Sequence, residues 1–107
     1  MKLKHKQQGA MCKIGRDIAE QDWNKLQLKH IEKNNNFEII SISLEKGAVF
    51  PEHSSPTDAQ LVVLEGEIIF NINKESYQLK KHQNIGFSKE VKHSVSAKEN
   101  SKFLIIR

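Results

Sequence analysis

One cysteine, two prolines, one tryptophan and five glycines among 107 residues remove several architectures before any motif is sought. A lone thiol, Cys12, forms no internal disulfide and no cysteine-based zinc module, and such usage fits a reducing compartment. Glycine and proline are too sparse for a linker-rich or low-complexity chain, and no internal repeat is visible. The longest purely aliphatic run, Leu61 to Leu64, falls far short of a membrane span. The opening MKLKHKQQ has the positive charge of a secretory leader, but no apolar stretch follows it. The chain therefore reads as a cytoplasmic protein with no membrane partner. It also lacks a glycine-rich phosphate loop and a GxSxG elbow, which leaves no motif for nucleotide binding or serine hydrolase chemistry.

What is present is one domain's worth of polypeptide with a net charge of +4. The excess is N-terminal: residues 1 to 33 hold eight Lys/Arg against four Asp/Glu, and the remainder is balanced. Acids interrupt those cations and only Trp23 lies nearby as an aromatic, so the segment reads as a solvated lead-in and nucleic acid is not the expected partner.

Hydrophobic periodicity points to sheet. Lys25 to Lys29 alternates with period two, Asn34-Asn35-Asn36 marks a turn, and Phe37 to Leu44 alternates again, with Ile40, Ile42 and Leu44 on one side and Ser41 and Ser43 on the other. A helix over Asp17 to Lys33 competes with the first of these strands, because Ile18, Trp23, Leu26 and Ile31 would share a stripe. Beyond Leu44, short apolar segments recur about every ten residues between turn-formers such as Glu65-Gly66 and Asn73-Lys74. About nine strands without an intervening helical pattern predict an antiparallel sandwich or barrel.

Parity then selects candidate site residues. His53 and Ser55 share a face; Ala59, Leu61 and Val63 share the apolar face of the next strand, opposite Gln60 and Val62; His93, Val95 and Ala97 share the apolar face of a late strand. Two imidazoles far apart in the chain thus point into one interior, where each needs a hydrogen-bond partner, a ligand or a metal. The other histidines have weaker claims: His82 occupies a turn, His30 a charged segment and His5 the basic terminus. No acid pair suits proton-transfer chemistry, since Glu65 and Glu67 flank a turn glycine and Glu52 faces away from His53.

The stretch GAVFPEHSSPTDAQLVVLEG, residues 47 to 66, resembles the first signature of the cupin barrels. Gly47, His53, Gly66 and the VLEGE ending fall on that pattern, and His93 matches the late histidine of the second signature, whereas His82, Ser88 and Glu90 do not match it. The resemblance, spanning about residues 37 to 107, implies an all-β, cupin-like double-stranded β-barrel (jelly roll): an N-terminal extension over 1–24 and a barrel domain over 25–107. The family's metal ligands would fall at His53, Ser55, Ala59 and His93, so half of that set is replaced. Gln60 is one residue out of register, which in a regular strand turns it to the opposite face.

The resemblance implies a pocket lined by aliphatic residues such as Leu61 and Val63 and floored by His53, Ser55 and His93. His53 and His93 are its candidate metal ligands, for a divalent Fe, Mn, Ni or Zn ion bound weakly or not at all. Two neutral imidazoles without an anionic donor make a weak site. The expected function is small-molecule binding; the alternative is a metal-dependent cupin enzyme, of dioxygenase or isomerase type, acting on a small organic substrate. A small organic ligand and a second copy of the chain, as a homodimer, are the expected partners. A ligand-sensing role for a separate DNA-binding protein is a weaker third reading, because the chain has no helix-turn-helix of its own.

Overall fold

The computed structural model describes residues 11–107; His5 and the first part of the basic segment lie outside them. After a single helical turn, α1 (Asp17–Glu20), come nine strands: β1 (Leu26–Lys33), β2 (Glu38–Leu44), β3 (Val49–His53), β4 (Ala59–Glu65), β5 (Glu67–Ile72), β6 (Glu75–Lys80), β7 (Asn84–Phe87), β8 (His93–Ala97) and β9 (Ser101–Ile106). The β1–β2 hairpin turns at the asparagine triplet: the Asn34 side chain accepts from the backbone N–H groups of Asn36 and Phe37, a local bond that asparagine makes readily. The helical alternative over Asp17 to Lys33 survives only as α1. Alternation in β1 wins because β2 offers it a full antiparallel ladder, from Leu26 opposite Leu44 to Lys33 opposite Glu38.

The strands form two antiparallel sheets, β1-β2-β9-β4-β7 and β3-β8-β5-β6. From β2 to β5 the chain crosses from one sheet to the other at every connection, the jelly-roll path that places sequence-distant strands side by side. The corner between β4 and β5 is made at Gly66, whose φ of +84° suits glycine and whose missing Cβ would lie 2.4 Å from the Asn100 carbonyl oxygen. The β5–β6 hairpin instead turns at Asn73 and Lys74, with φ of 52° and 65°, which matches the right-handed twist of the flanking strands.

Between the sheets lies one core. Ile42, Leu44, Leu61, Val63, Ile68, Phe70 and Phe103 are fully buried in it, each contributing roughly 1.5–3 kcal/mol relative to exposure. The inward rows are those the period-two pattern selects, in β4 and β8 as in β2.

Residues 17–23 are not the solvated lead-in that their charge suggests. They cross the outer face of the five-stranded sheet, over side chains that the alternation turns away from the core. Gln21 donates through Nε2 to the carbonyls of Gln27 and Ser41 and accepts from Ser41 Oγ. Ser43 Oγ donates to Asp22 O and Trp23 Nε1 to Ser101 O. Lys102 Nζ donates to Ile18 O at 2.7 Å and sits 4.8 Å from the centre of the Trp23 ring, a cation–π arrangement. The strap thereby covers Ser41, Ser43 and Lys102, all buried, and gives their polar side chains partners. Charge counting misses it because, Lys102 apart, these bonds are made by neutral side chains and backbone.

Candidate functional site

The only proline inside a strand, Pro51, sits where β3 leaves regular pairing. Phe50 is opposite Val95 and His53 opposite His93, so three steps along β3 match two along β8. That extra residue is a bulge, placed on an edge strand where a missing N–H is tolerated. Without it Phe50 and His53 would face opposite sides; with it their rings stack at 4.1 Å. His53 then meets His93 edge to face at 4.3 Å, and Phe87 lies 4.5 Å and Phe70 5.4 Å from the His93 ring.

The rings of Phe50, His53, Phe87 and His93 line a cavity of about 150 Å³ between the sheets. Leu28, Ile40, Ile42 and Ile105 form its aliphatic wall, the loop Ser54–Pro56 closes part of its rim, and Arg107 completes the lining. His93 is buried and His53 half-buried, so both imidazoles belong to the interior wall. Ser55, 2% exposed, also lines the cavity. Leu61 and Val63 do not: both are fully buried in the core, away from the cavity. The aliphatic wall is supplied by β1, β2 and β9 instead.

The hydrogen bonds define what each histidine can offer. His53 Nδ1 lies 2.7 Å from Pro51 O and His93 Nδ1 2.9 Å from Val91 O. A carbonyl only accepts, so each Nδ1 carries the proton and, in the neutral ring, each Nε2 keeps its lone pair. Burial, then the fields of His53 and Arg107, push the pKa of His93 below the usual imidazole value, against the opposing bond to Val91. His93 is therefore neutral at neutral pH.

Ser55 has no comparable capacity. Its Oγ donates to Thr57 O at 2.7 Å and accepts from Thr57 N and from Arg107 Nη1 at 3.2 Å, which uses its one proton and both lone pairs. Ala59 offers no donor atom, and Gln60 turns outward, accepting from Asn84 Nδ2, as its register predicts. Among the described residues no group of three or more His, Cys, Asp or Glu is placed to share a cation. What remains of the donor set that a cupin metal centre implies is thus two imidazole nitrogens, with a guanidinium bonded to Ser55 at the second position. The residues present do not fit a tightly held ion.

Arg107 and its partner Glu38 are the site residues the sequence reading missed. The two face each other across β2 and β9, exchanging both backbone hydrogen bonds at the strand ends, and Arg107 Nε donates to Glu38 Oε1 at 2.8 Å. His30 Nε2 lies 2.6 Å and Lys33 Nζ 3.9 Å from Glu38 Oε2, so His30 is more than a solvent-facing residue on a charged segment. The Arg107 hydrogen bond, opposed by desolvation and reinforced by the fields of Arg107, His30 and Lys33, holds the Glu38 carboxyl below its usual range. A signal existed in the alternation: Glu38 continues the inward row of Ile40, Ile42 and Leu44, and Arg107 that of Phe103 and Ile105. Phe50 carried no such signal, since only the bulge turns it inward.

The fold is thus a small jelly-roll barrel with a ring-lined cavity opening between its sheets. The cupin-domain family profile matches residues 41–106, well over half of the chain, and the protein belongs to that family. Solved structures agree on the fold. A conserved protein of unknown function from Streptococcus pyogenes is 26% identical with a TM-score of 0.72, over 79% of this chain and 75% of that one. An RmlC-like cupin from Desulfovibrio desulfuricans is 21% identical with a TM-score of 0.79, over 89% and 94%. A cupin superfamily protein from Desulfitobacterium hafniense is 18% identical with a TM-score of 0.77, over 99% and 96%. No curated protein matches the sequence. No helix among the described residues is long and apolar enough to cross a membrane.

Proposed function

We propose that this cupin binds a compact organic molecule in the cavity between its sheets, and that His53 and His93 hold a divalent metal weakly at most. The supporting observation is the consumption of Ser55: with its oxygen bonded to Thr57 and Arg107, two Nε2 atoms are the donors that remain of the family's metal set. A cavity of about 150 Å³ with an apolar wall takes a body of roughly the size of a benzene ring. Rings of Phe50, Phe87 and His93 would meet its faces, and the two Nε2 atoms would accept hydrogen bonds from it. The molecule acts in the cytoplasm in this reading, and as a homodimer. The half-exposed side chains of Leu28 and Phe37 on and beside the edge strand β1 favour pairing there.

Elemental analysis of purified protein after dialysis at neutral pH tests the reading. The expected result is far less than one equivalent of Fe, Mn, Ni or Zn, together with a rise in Tm on adding small aromatic ligands. One retained equivalent, lost in both His53→Ala and His93→Ala, would overturn it in favour of a metal-dependent enzyme. Light scattering checks the dimer.

A further inference from the structure

We infer that the occupant of this cavity is an anion, a small monocarboxylate whose carboxylate is received by Arg107 and whose apolar body lies against Phe50, Phe87 and the aliphatic wall. The inference rests on the reading of the cavity as a ligand site and adds the charge of the ligand.

Three observations carry it. First, Arg107 lines the cavity, and among the described residues its side chain is bonded to Glu38 through Nε and to Ser55 through Nη1. A guanidinium has five N–H donors in a planar fork, so donors remain for a ligand, and the fork is already aimed by its two partners. Second, the rim is not neutralised by Glu38. That single carboxylate is shared between Arg107 and Lys33, so the positive charge about Arg107 exceeds the negative by one. Third, no carboxylate lines the cavity, and His93, whose Nδ1 is committed to Val91 O, turns the lone pair of its other nitrogen to a ligand as an acceptor. A negative group therefore has one place to go.

The rest of the lining selects among anions. With Leu28, Ile40, Ile42 and Ile105 around it, a phosphate or a dicarboxylate would leave oxygens against hydrocarbon, at a cost no partner in the lining offsets. A monocarboxylate presents two oxygens to the fork and carbon to everything else.

Calorimetric titration at pH 7.5 with benzoate and with its neutral isostere benzamide tests the inference. In the wild type benzoate is expected to bind about tenfold tighter or more, the range of a charge-assisted hydrogen bond. Arg107→Gln, with folding checked by circular dichroism, should remove that preference while benzamide binding persists. Should this variant not fold, Glu38→Gln decides: it keeps the guanidinium and removes its competitor, so benzoate binding should tighten several-fold. Equal affinity for the two probes in the wild type, a preference surviving in Arg107→Gln, or weaker benzoate binding in folded Glu38→Gln overturns the inference and leaves the ligand site standing. Failure of both probes to bind the wild type removes the ligand site and the inference together.

Discussion

Replacing Gln21 by alanine removes one side chain that lies wholly outside the barrel, yet its effect should be that of a core mutation. The amide donates to Gln27 O at 3.1 Å and to Ser41 O at 3.0 Å, and accepts from Ser41 Oγ at 2.7 Å. Ser41 has no exposed surface. Each such bond contributes a net ~0.5–1.5 kcal/mol, and a buried hydroxyl left without a partner costs ~1–3 kcal/mol. Allowing for entry of water into the space vacated, Gln21→Ala should lower stability by about 2 kcal/mol, or the Tm by about 8–16 °C for a domain of this size. Urea unfolding should show a reduced midpoint with an unchanged m-value. The contrast with Ser41→Ala is decisive, because that change removes the hydroxyl along with its need for a partner. In the Ser41→Ala background, Gln21→Ala should cost about 1 kcal/mol less than in the wild type, a coupling that a double-mutant cycle resolves. If the two substitutions add within about 0.5 kcal/mol, or Gln21→Ala costs less than that alone, the strap does not hold the sheet's outer face and the reasoning fails.

Further outcomes follow from the corner, the core and the site. Gly66→Ala places a Cβ 2.4 Å from Asn100 O at positive φ and should cost more than about 3 kcal/mol, whereas Gly47→Ala, with φ of +85° and open space around it, should cost only about 1 kcal/mol; thermal melts of the pair separate steric clash from backbone strain. Phe70→Ala, in a fully buried position against Phe87 and His93, should lose about 3–5 kcal/mol in urea titration. Because the folded-state pKa of His93 lies below its unfolded value, the unfolded chain takes up the proton first as pH falls. Stability from this group is complete above the unfolded pKa of about 6.5. It then falls by up to about 1.4 kcal/mol per pH unit down to the folded pKa. His93→Gln should flatten that part of a stability profile measured from pH 8 to 5; an unchanged slope would show that His93 does not titrate differently on folding.

Much of the site was written in local pattern. Alternation alone places Ala59, Leu61 and Val63, and His93, Val95 and Ala97, on inward faces, and both rows are buried. The same rule read two residues further would have turned Glu38 and Arg107 inward as well. Leu61 and Val63 show its limit: parity says that a side chain faces inward, but not whether it meets the cavity or the opposing sheet. That depends on where the two sheets part to leave the cavity, an outcome of the tertiary structure.

Sequence by itself determined the nine strands, the asparagine and glycine turns, the inward rows and the family, because each depends on neighbours two residues away or on motif spacing. Tertiary structure alone decided three things. A one-residue bulge brought Phe50 onto the face of His53; crossing between sheets set β3 beside β8, so that two histidines 40 positions apart became a cross-strand pair; and the strap covered serines that alternation had turned outward. Each joins groups remote in the chain, and the energy of such a contact depends on a neighbour that exists only once the sheets have closed.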